Sequence, residues 1–233
     1  MSLITGLRAC LTSFIFALPL LSSMTAYADG GISIQGTRVV YPMKSRQVSL
    51  TVQNSSLTDS FLVQSWVETE AGTKVADFIV TPPLYLSEPQ NENVLRIIRT
   101  SGNLPKNRES LYYFVVKDIP SIEKKESKRS ILNISAATRI KLFVRPDGLG
   151  MRPEDAPSKL NFTRKNNKLH ISNPTPYYLT ITDIKAGNVP LESVMVAPGT
   201  TDFIPFPTGS GSRVTYHTIN DSGAITAPIT VSF

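Results

Sequence analysis

Two histidines, one cysteine and a handful of paired charges are the residues with which this 233-residue chain could do chemistry. His170 and His217 each lie in a strand-like segment, with no His-x-x-x-His or Glu-x-x-His spacing around them, so the His/Cys sets that hold zinc are missing from the sequence. Gly209-Ser210-Gly211-Ser212 lacks the apolar strand before it and the helix after it that a Gly-x-Ser-x-Gly nucleophile elbow needs, and it reads as a flexible loop. Glu68 and Glu70 share a strand face beside a turn and read as solvated charge. No catalytic residue, metal or cofactor is expected. The basic run Lys124, Lys125, Lys128 and Arg129 is interleaved with Glu123 and Glu126. No aromatic residue falls between Ile119 and Ile131, so no nucleic-acid surface is expected there. Arg38 and Lys141 remain. Lys141 stands between Ile140 and Leu142, and the residues by themselves make it an exposed lysine on a strand.

The elements that must carry these residues are strands. From Ser130 to Pro146 the positions Leu132, Ile134, Ala136, Ile140, Leu142 and Val144 are apolar, and only Thr138 interrupts them. Asn133, Ser135, Arg139, Lys141 and Arg145 occupy the other parity, which is the period of a strand. Fully extended, the stretch would span on the order of 50 Å, far beyond the usual strand of about 5–6 residues. One domain cannot cover all of its apolar face, so part of it is expected to serve another chain.

The remaining chain has the same style. Short alternating runs are bounded by turn residues and no amphipathic helix appears: Arg38 to Tyr41, Val48 to Val52, Phe61 to Val67, Phe78 to Val80, Asn93 to Arg99 and Leu111 to Val116. Thr81-Pro82-Pro83 cannot sit in a central strand, and it predicts an edge or a crossing between sheets. Trp66 reads as a core plug between two sheets. Arg145-Pro146-Asp147-Gly148-Leu149-Gly150 has the composition of a hinge, after which seven further strand-like runs extend from Lys159 to Phe233. No sequence repeat links the two halves. The expectation is an all-β chain of two immunoglobulin-like β-sandwich domains, residues 29–148 and 149–233, joined at an angle by a short hinge.

Composition supplies the address. Apolar residues make up 41% of the chain, enough for two cores. Arg8, the apolar run Leu11 to Leu21 and the small-x-small triplet Ala26-Tyr27-Ala28 read as a signal peptide, residues 1–28, cut after Ala28. Pro19, Ser22, Ser23 and Thr25 leave too few apolar residues for a stable membrane anchor. Cys10 leaves with that segment, so no disulfide is expected, and a bacterial periplasm suits such an exported chain. The net charge of +6 over the whole sequence permits anionic partners and names none.

In five pieces, and in their order, the sequence resembles the periplasmic pilus-assembly chaperones, the immunoglobulin-like two-domain family of the P-pilus and type 1 pilus chaperones. The pieces are Gly36 to Pro42, Thr81 to Pro83, Arg108 to Phe114, Arg139 to Pro146 and Asn173 to Tyr178. The resemblance implies a non-enzymatic chaperone that binds and folds pilus or fimbrial subunits and the adhesin, then delivers them to an outer-membrane usher. It implies donor-strand complementation, in which the chaperone lends a strand to an incomplete subunit sandwich. Leu132, Ile134 and Ala136 match the donor positions, with Ala136 smaller than the family's usual residue. Arg38 and Lys141 match the two cations that anchor the subunit's C-terminal carboxylate. Glu109, Arg145 and Asp221 match an interdomain ionic cluster. The short segment between Ile119 and Ile131 places the chain with the short-loop branch. The alternative from another class is an immunoglobulin-like pilus subunit or surface adhesin.

Overall fold

The computed structural model describes residues 30–100, 102–120 and 134–232. Nine strands come first among the described residues: β1 (Ile32–Ile34), β2 (Arg38–Pro42), β3 (Gln47–Asn54), β4 (Phe61–Glu68), β5 (Phe78–Thr81), β6 (Leu84–Ser87), β7 (Glu92–Arg99), β8 (Ser110–Pro120) and β9 (Ala137–Arg145). They form two facing sheets, one ordered β1-β3-β7-β5 and the other β2-β9-β8-β4-β6. Alternate residues of each sheet meet in one core that includes Tyr41, Val63, Leu95, Ile97, Phe114, Leu142 and Val144. The Tyr41 hydroxyl, carried into that core, donates to the Ser45 and Arg46 carbonyls and accepts from the Arg99 N–H. The chain changes sheets between β5 and β6 at Thr81-Pro82-Pro83, where the Thr81–Pro82 bond is cis.

A connection through Gly148 and Gly150, both at positive φ, leads to a short 3-10 helix at Pro153–Lys159 and then to the second sandwich. Its strands are β10 (Asn161–Lys165), β11 (Lys168–Asn173), β12 (Leu179–Ala186), β13 (Val189–Pro190), β14 (Val194–Val196), β15 (Thr200–Pro205), β16 (Arg213–Thr218) and β17 (Ile229–Ser232). The sheets are β10-β11-β15 and β13-β12-β16-β17, with β14 also on β12. A second core centred on Leu169, Ile171, Ile181, Ile184, Val214 and Tyr216 fills the space between them. The chain is thus an all-β pair of sandwiches, as its alternation predicts.

A correspondence between the halves that no sequence repeat revealed sits at the ends of β3 and β11. Asn54 and Asn173 are both fully buried. Asn54 Nδ2 donates to the carbonyls of Asp59, Ser87 and Glu88, and Asn173 Nδ2 to those of Tyr177, Val196 and Ala197. Each Oδ1 accepts the N–H two residues on, from Ser56 and Thr175. One buried amide therefore bonds four main-chain groups in each domain and ties the end of a strand to the loops beside it.

Two expectations are corrected. Along β4 the odd residues Val63, Ser65 and Val67 face the core, so Trp66 lies on the outer face of the sheet and is no core plug. There its Nε1 donates to Glu68 Oε2 at 2.8 Å, and Lys74 Nζ stands 4.2 Å over its ring. Glu68 is only 8% exposed. It pairs with Arg139 Nε at 2.7 Å, so it is an ion-paired carboxylate rather than a solvated one.

Candidate functional site

β9 is the element on which the site is built. On one side it pairs antiparallel with β8 from Val144 back to Ala137; on the other it pairs parallel with β2 only from Lys141 onward. β2 begins at Arg38, whose partner in register is Lys141. Among the described residues, Ala137 to Ile140 therefore have no strand on that second side, and an open sheet edge of unpaired main-chain groups starts where the two cations meet.

Both cations are half-buried between the two domains. Lys141 Nζ donates to Thr180 Oγ1 at 3.2 Å, and Arg38 Nη1 to the Ile219 carbonyl at 3.0 Å. Arg38 Nε is buried without a hydrogen-bond partner among the described residues. Neither side chain has a carboxylate within ion-pair distance among those residues. Burial, with the Arg38 charge adding to it, holds the Lys141 ammonium below the usual lysine value, and Glu70 offsets part of the shift. Burial lowers Arg38 as well, against the pull of Asp221 and Glu109. Two desolvated like charges with only neutral hydrogen-bond partners have the chemistry to bind an anion, and a carboxylate would match them in charge and hydrogen bonding.

Beside this pair, Arg145 ties the domains together. Its Nε donates to Glu109 Oε1 at 2.7 Å, while its Nη1 and Nη2 bind Asp221 Oδ2 and Oδ1 at 2.6 and 2.7 Å. The other Glu109 oxygen accepts the Tyr178 N–H at 2.8 Å. Burial raises the Glu109 carboxyl above its usual range even with Arg145 and the Tyr178 N–H opposing it. Burial also opposes the charge on Arg145, but hydrogen bonding to Asp221 and the attraction of Glu109 outweigh it and raise the guanidinium further. Phe143 faces Tyr178 with ring centroids 5.8 Å apart, and a cavity of about 370 Å³ at this junction is lined by Arg38, Glu109, Phe143, Arg145, Tyr177 and Asp221 among others.

The structure thus brings Arg38 to Lys141, and Glu109 and Asp221 to Arg145. Ile134 is 68% exposed, and Ala136 is exposed on the same approach to the open edge. Leu132 and the basic run at 124–129 lie outside the described residues. Ile140, Leu142 and Val144 are buried in the first core. Within the described residues the strand starts at Ala137, so Ile134 to Ala136, expected as strand, fall outside the ladder. Sequence reasoning missed Thr180 and Ile219, which have no distinguishing pattern in the chain, and it quoted Tyr178 only within the piece Asn173 to Tyr178, with no contact to Glu109. It also missed Arg139, whose guanidinium lies 3.4 Å over the Tyr113 ring and binds the Thr69 and Glu70 carbonyls. Its alternation with Lys141 was the available signal.

Family models match two contiguous parts of the chain: residues 31–150 match the pili and flagellar-assembly chaperone PapD N-terminal domain, and residues 155–230 the pili assembly chaperone PapD C-terminal domain. The chain belongs to the pilus-assembly chaperones. The chaperone protein FocC of Escherichia coli is 47% identical over 201 residues, covering 85% of this chain and 88% of that protein. The crystal structure of the periplasmic chaperone SfaE is 44% identical with a TM-score of 0.75, over 86% of this chain and 98% of that one. The chaperone SafB, solved in complex with the Salmonella enterica pilin SafA, gives a TM-score of 0.81 at 30% identity, over 89% and 99% of the two chains. The family is non-enzymatic, and this chaperone assists pilus subunit assembly. The alternative of a pilus subunit or adhesin gives way to that finding.

Proposed function

We propose that this chaperone holds pilus subunits, including the tip adhesin, by lending them the open edge of β9, and that Arg38 and Lys141 fix the subunit's C-terminal carboxylate at the start of that edge. The observation that carries the reading is the register of Arg38 with Lys141, which puts two desolvated cations at the residue pair where β2 begins, next to the free edge of β9. A strand arriving there gains main-chain pairing along β9, and the anchored carboxylate sets its register. Leu132, Ile134 and Ala136 are the donor side chains, each directed to an apolar subunit pocket. Full burial of a Leu or Ile side chain contributes roughly 1.5–3 kcal/mol, and the smaller Ala136 fits a shallow pocket. Glu109, Arg145 and Asp221 set the angle between the domains. The protein is exported with a signal peptide of residues 1–28 cut after Ala28, works in the periplasm as domains 29–148 and 149–233, and passes its subunits to an outer-membrane usher.

Co-expression with a pilin and purification from the periplasm tests this reading. Arg38→Ala and Lys141→Ala are expected to fold normally and lose most of the co-purified subunit, and Ile134→Asp to abolish it. Full retention by folded Arg38→Ala and Lys141→Ala variants would overturn the anchor, and undiminished capture by Ile134→Asp would overturn the donor strand.

A further inference from the structure

Ser135 and Ala136 lie beside β8 yet outside the ladder, and one carboxylate accounts for it. If the antiparallel ladder continued, Asp118 and Ala136 would exchange two main-chain hydrogen bonds. The first is made, from the Asp118 N–H to the Ala136 carbonyl at 3.0 Å. The second is replaced: the Ala136 N–H donates to Asp118 Oδ1 at 2.8 Å, and the Ser135 hydroxyl takes the Asp118 main-chain oxygen instead. Because Ala136 turns its main-chain groups toward β8, the alternation of a strand turns those of Ser135 and Ala137 toward the open side.

We propose that Asp118 is a positioning residue that pins the segment carrying Ile134 and Ala136 against β8, so that Ser135 and Ala137 present their main-chain groups to an incoming subunit strand. The inference rests on the strand-lending reading above. Ile134 and Ala136 are exposed, so no buried side chain of theirs sets the register of the free segment. A charge-assisted hydrogen bond can set it, and a carboxylate reaches further than a main-chain oxygen, so the segment is held although it has left the regular ladder.

The test compares the purified chaperone with its Asp118→Ala, Asp118→Asn and Ile134→Asp variants. Hydrogen exchange of the Ala136 amide is measured in the free protein, together with the association rate with a purified pilin. Loss of a hydrogen bond to a charged group predicts Ala136 exchange about tenfold faster in Asp118→Ala, with capture slowed by a similar factor. Asp118→Asn keeps an acceptor oxygen and falls between. Ile134→Asp is expected to abolish capture while Ala136 exchange stays as in the parent. Unchanged Ala136 exchange in Asp118→Ala, or faster exchange with unaltered capture, overturns the pin and leaves the strand-lending reading standing. Intact capture by Ile134→Asp overturns that reading and the pin with it.

Discussion

Lys141 shows how a residue that is ordinary in sequence becomes specific through its surroundings. Burial and the Arg38 charge disfavour its ammonium form, so its pKa lies below the ordinary lysine value of 10.5. The unfolded chain holds that proton up to the ordinary value and the folded chain releases it earlier, so this group makes the free protein more stable as pH rises through the window between the two. Subunit binding has the opposite sign. A carboxylate on Nζ favours the charged form, so affinity is complete below the depressed value and falls as pH rises through it toward 10.5. Calorimetric titration with a peptide matching a pilin's C-terminal strand, from neutral pH to 10.5, should record that fall. Lys141→Arg remains charged across the whole range and should flatten it; a profile identical to the parent's would remove Lys141 from the anchor. The parity of the strand made Lys141 legible as an outward residue. Its partners were not, because Thr180 and Ile219 come from the other domain and their contacts depend on how two sandwiches meet.

At the scale of elements, alternation told which residues share a face and was silent on which face is inward. Ile140, Leu142 and Val144, on the apolar parity, are buried in the first core, while Phe143 on the other parity is buried against Tyr178 of the second domain. Trp66 was misread because β4 has large apolar residues on both parities, and on the outer face its ring is held by Glu68 and Lys74. In the turn joining β16 to β17 the sequence singled out Asp221 alone, yet the whole turn meets the first domain: Ile219 binds Arg38, Asp221 binds Arg145, and Gly223 approaches Thr37. Gly223 has φ +86°, and a Cβ there would lie 2.3 Å from Thr37 Oγ1. Gly223→Ala should therefore leave both cores folded while lifting the turn from β2, with small-angle scattering reporting a broader domain arrangement and subunit affinity falling about tenfold, the loss of one charge-assisted contact. Adding Thr37→Ala removes the steric part of the conflict and should recover part of the affinity. Parent-like scattering and binding from Gly223→Ala alone would show that the close approach does not set the interface.

For the whole molecule, the decisive question is whether the interdomain ion cluster supplies stability or geometry, and its two carboxylates separate the answers. The Glu109 side chain is 1% exposed and that of Arg145 18%, whereas the Asp221 side chain is 48% exposed. Removing Glu109 leaves a buried guanidinium with one half-exposed partner and the Tyr178 N–H with no acceptor; breaking a buried pair in this way costs roughly 3–5 kcal/mol. Removing Asp221 breaks a bidentate pair that water screens on its half-exposed side, and its cost in stability is smaller, on the order of 1 kcal/mol. Asp221 nevertheless sits in the turn whose Ile219 carbonyl positions Arg38, so its loss acts on the anchor through the angle between the domains. Glu109→Ala should lower the denaturant midpoint markedly. Asp221→Ala should scarcely move it, yet it should broaden the domain orientations seen by residual dipolar couplings and weaken subunit binding about tenfold. If Asp221→Ala changes orientation without changing affinity, the client does not need a fixed angle, and the cluster serves stability through Glu109 alone. If it weakens binding at constant stability, the ionic cluster acts by aiming one domain's Arg38 and Lys141 against the other's Thr180 and Ile219, which is where the proposed carboxylate would bind.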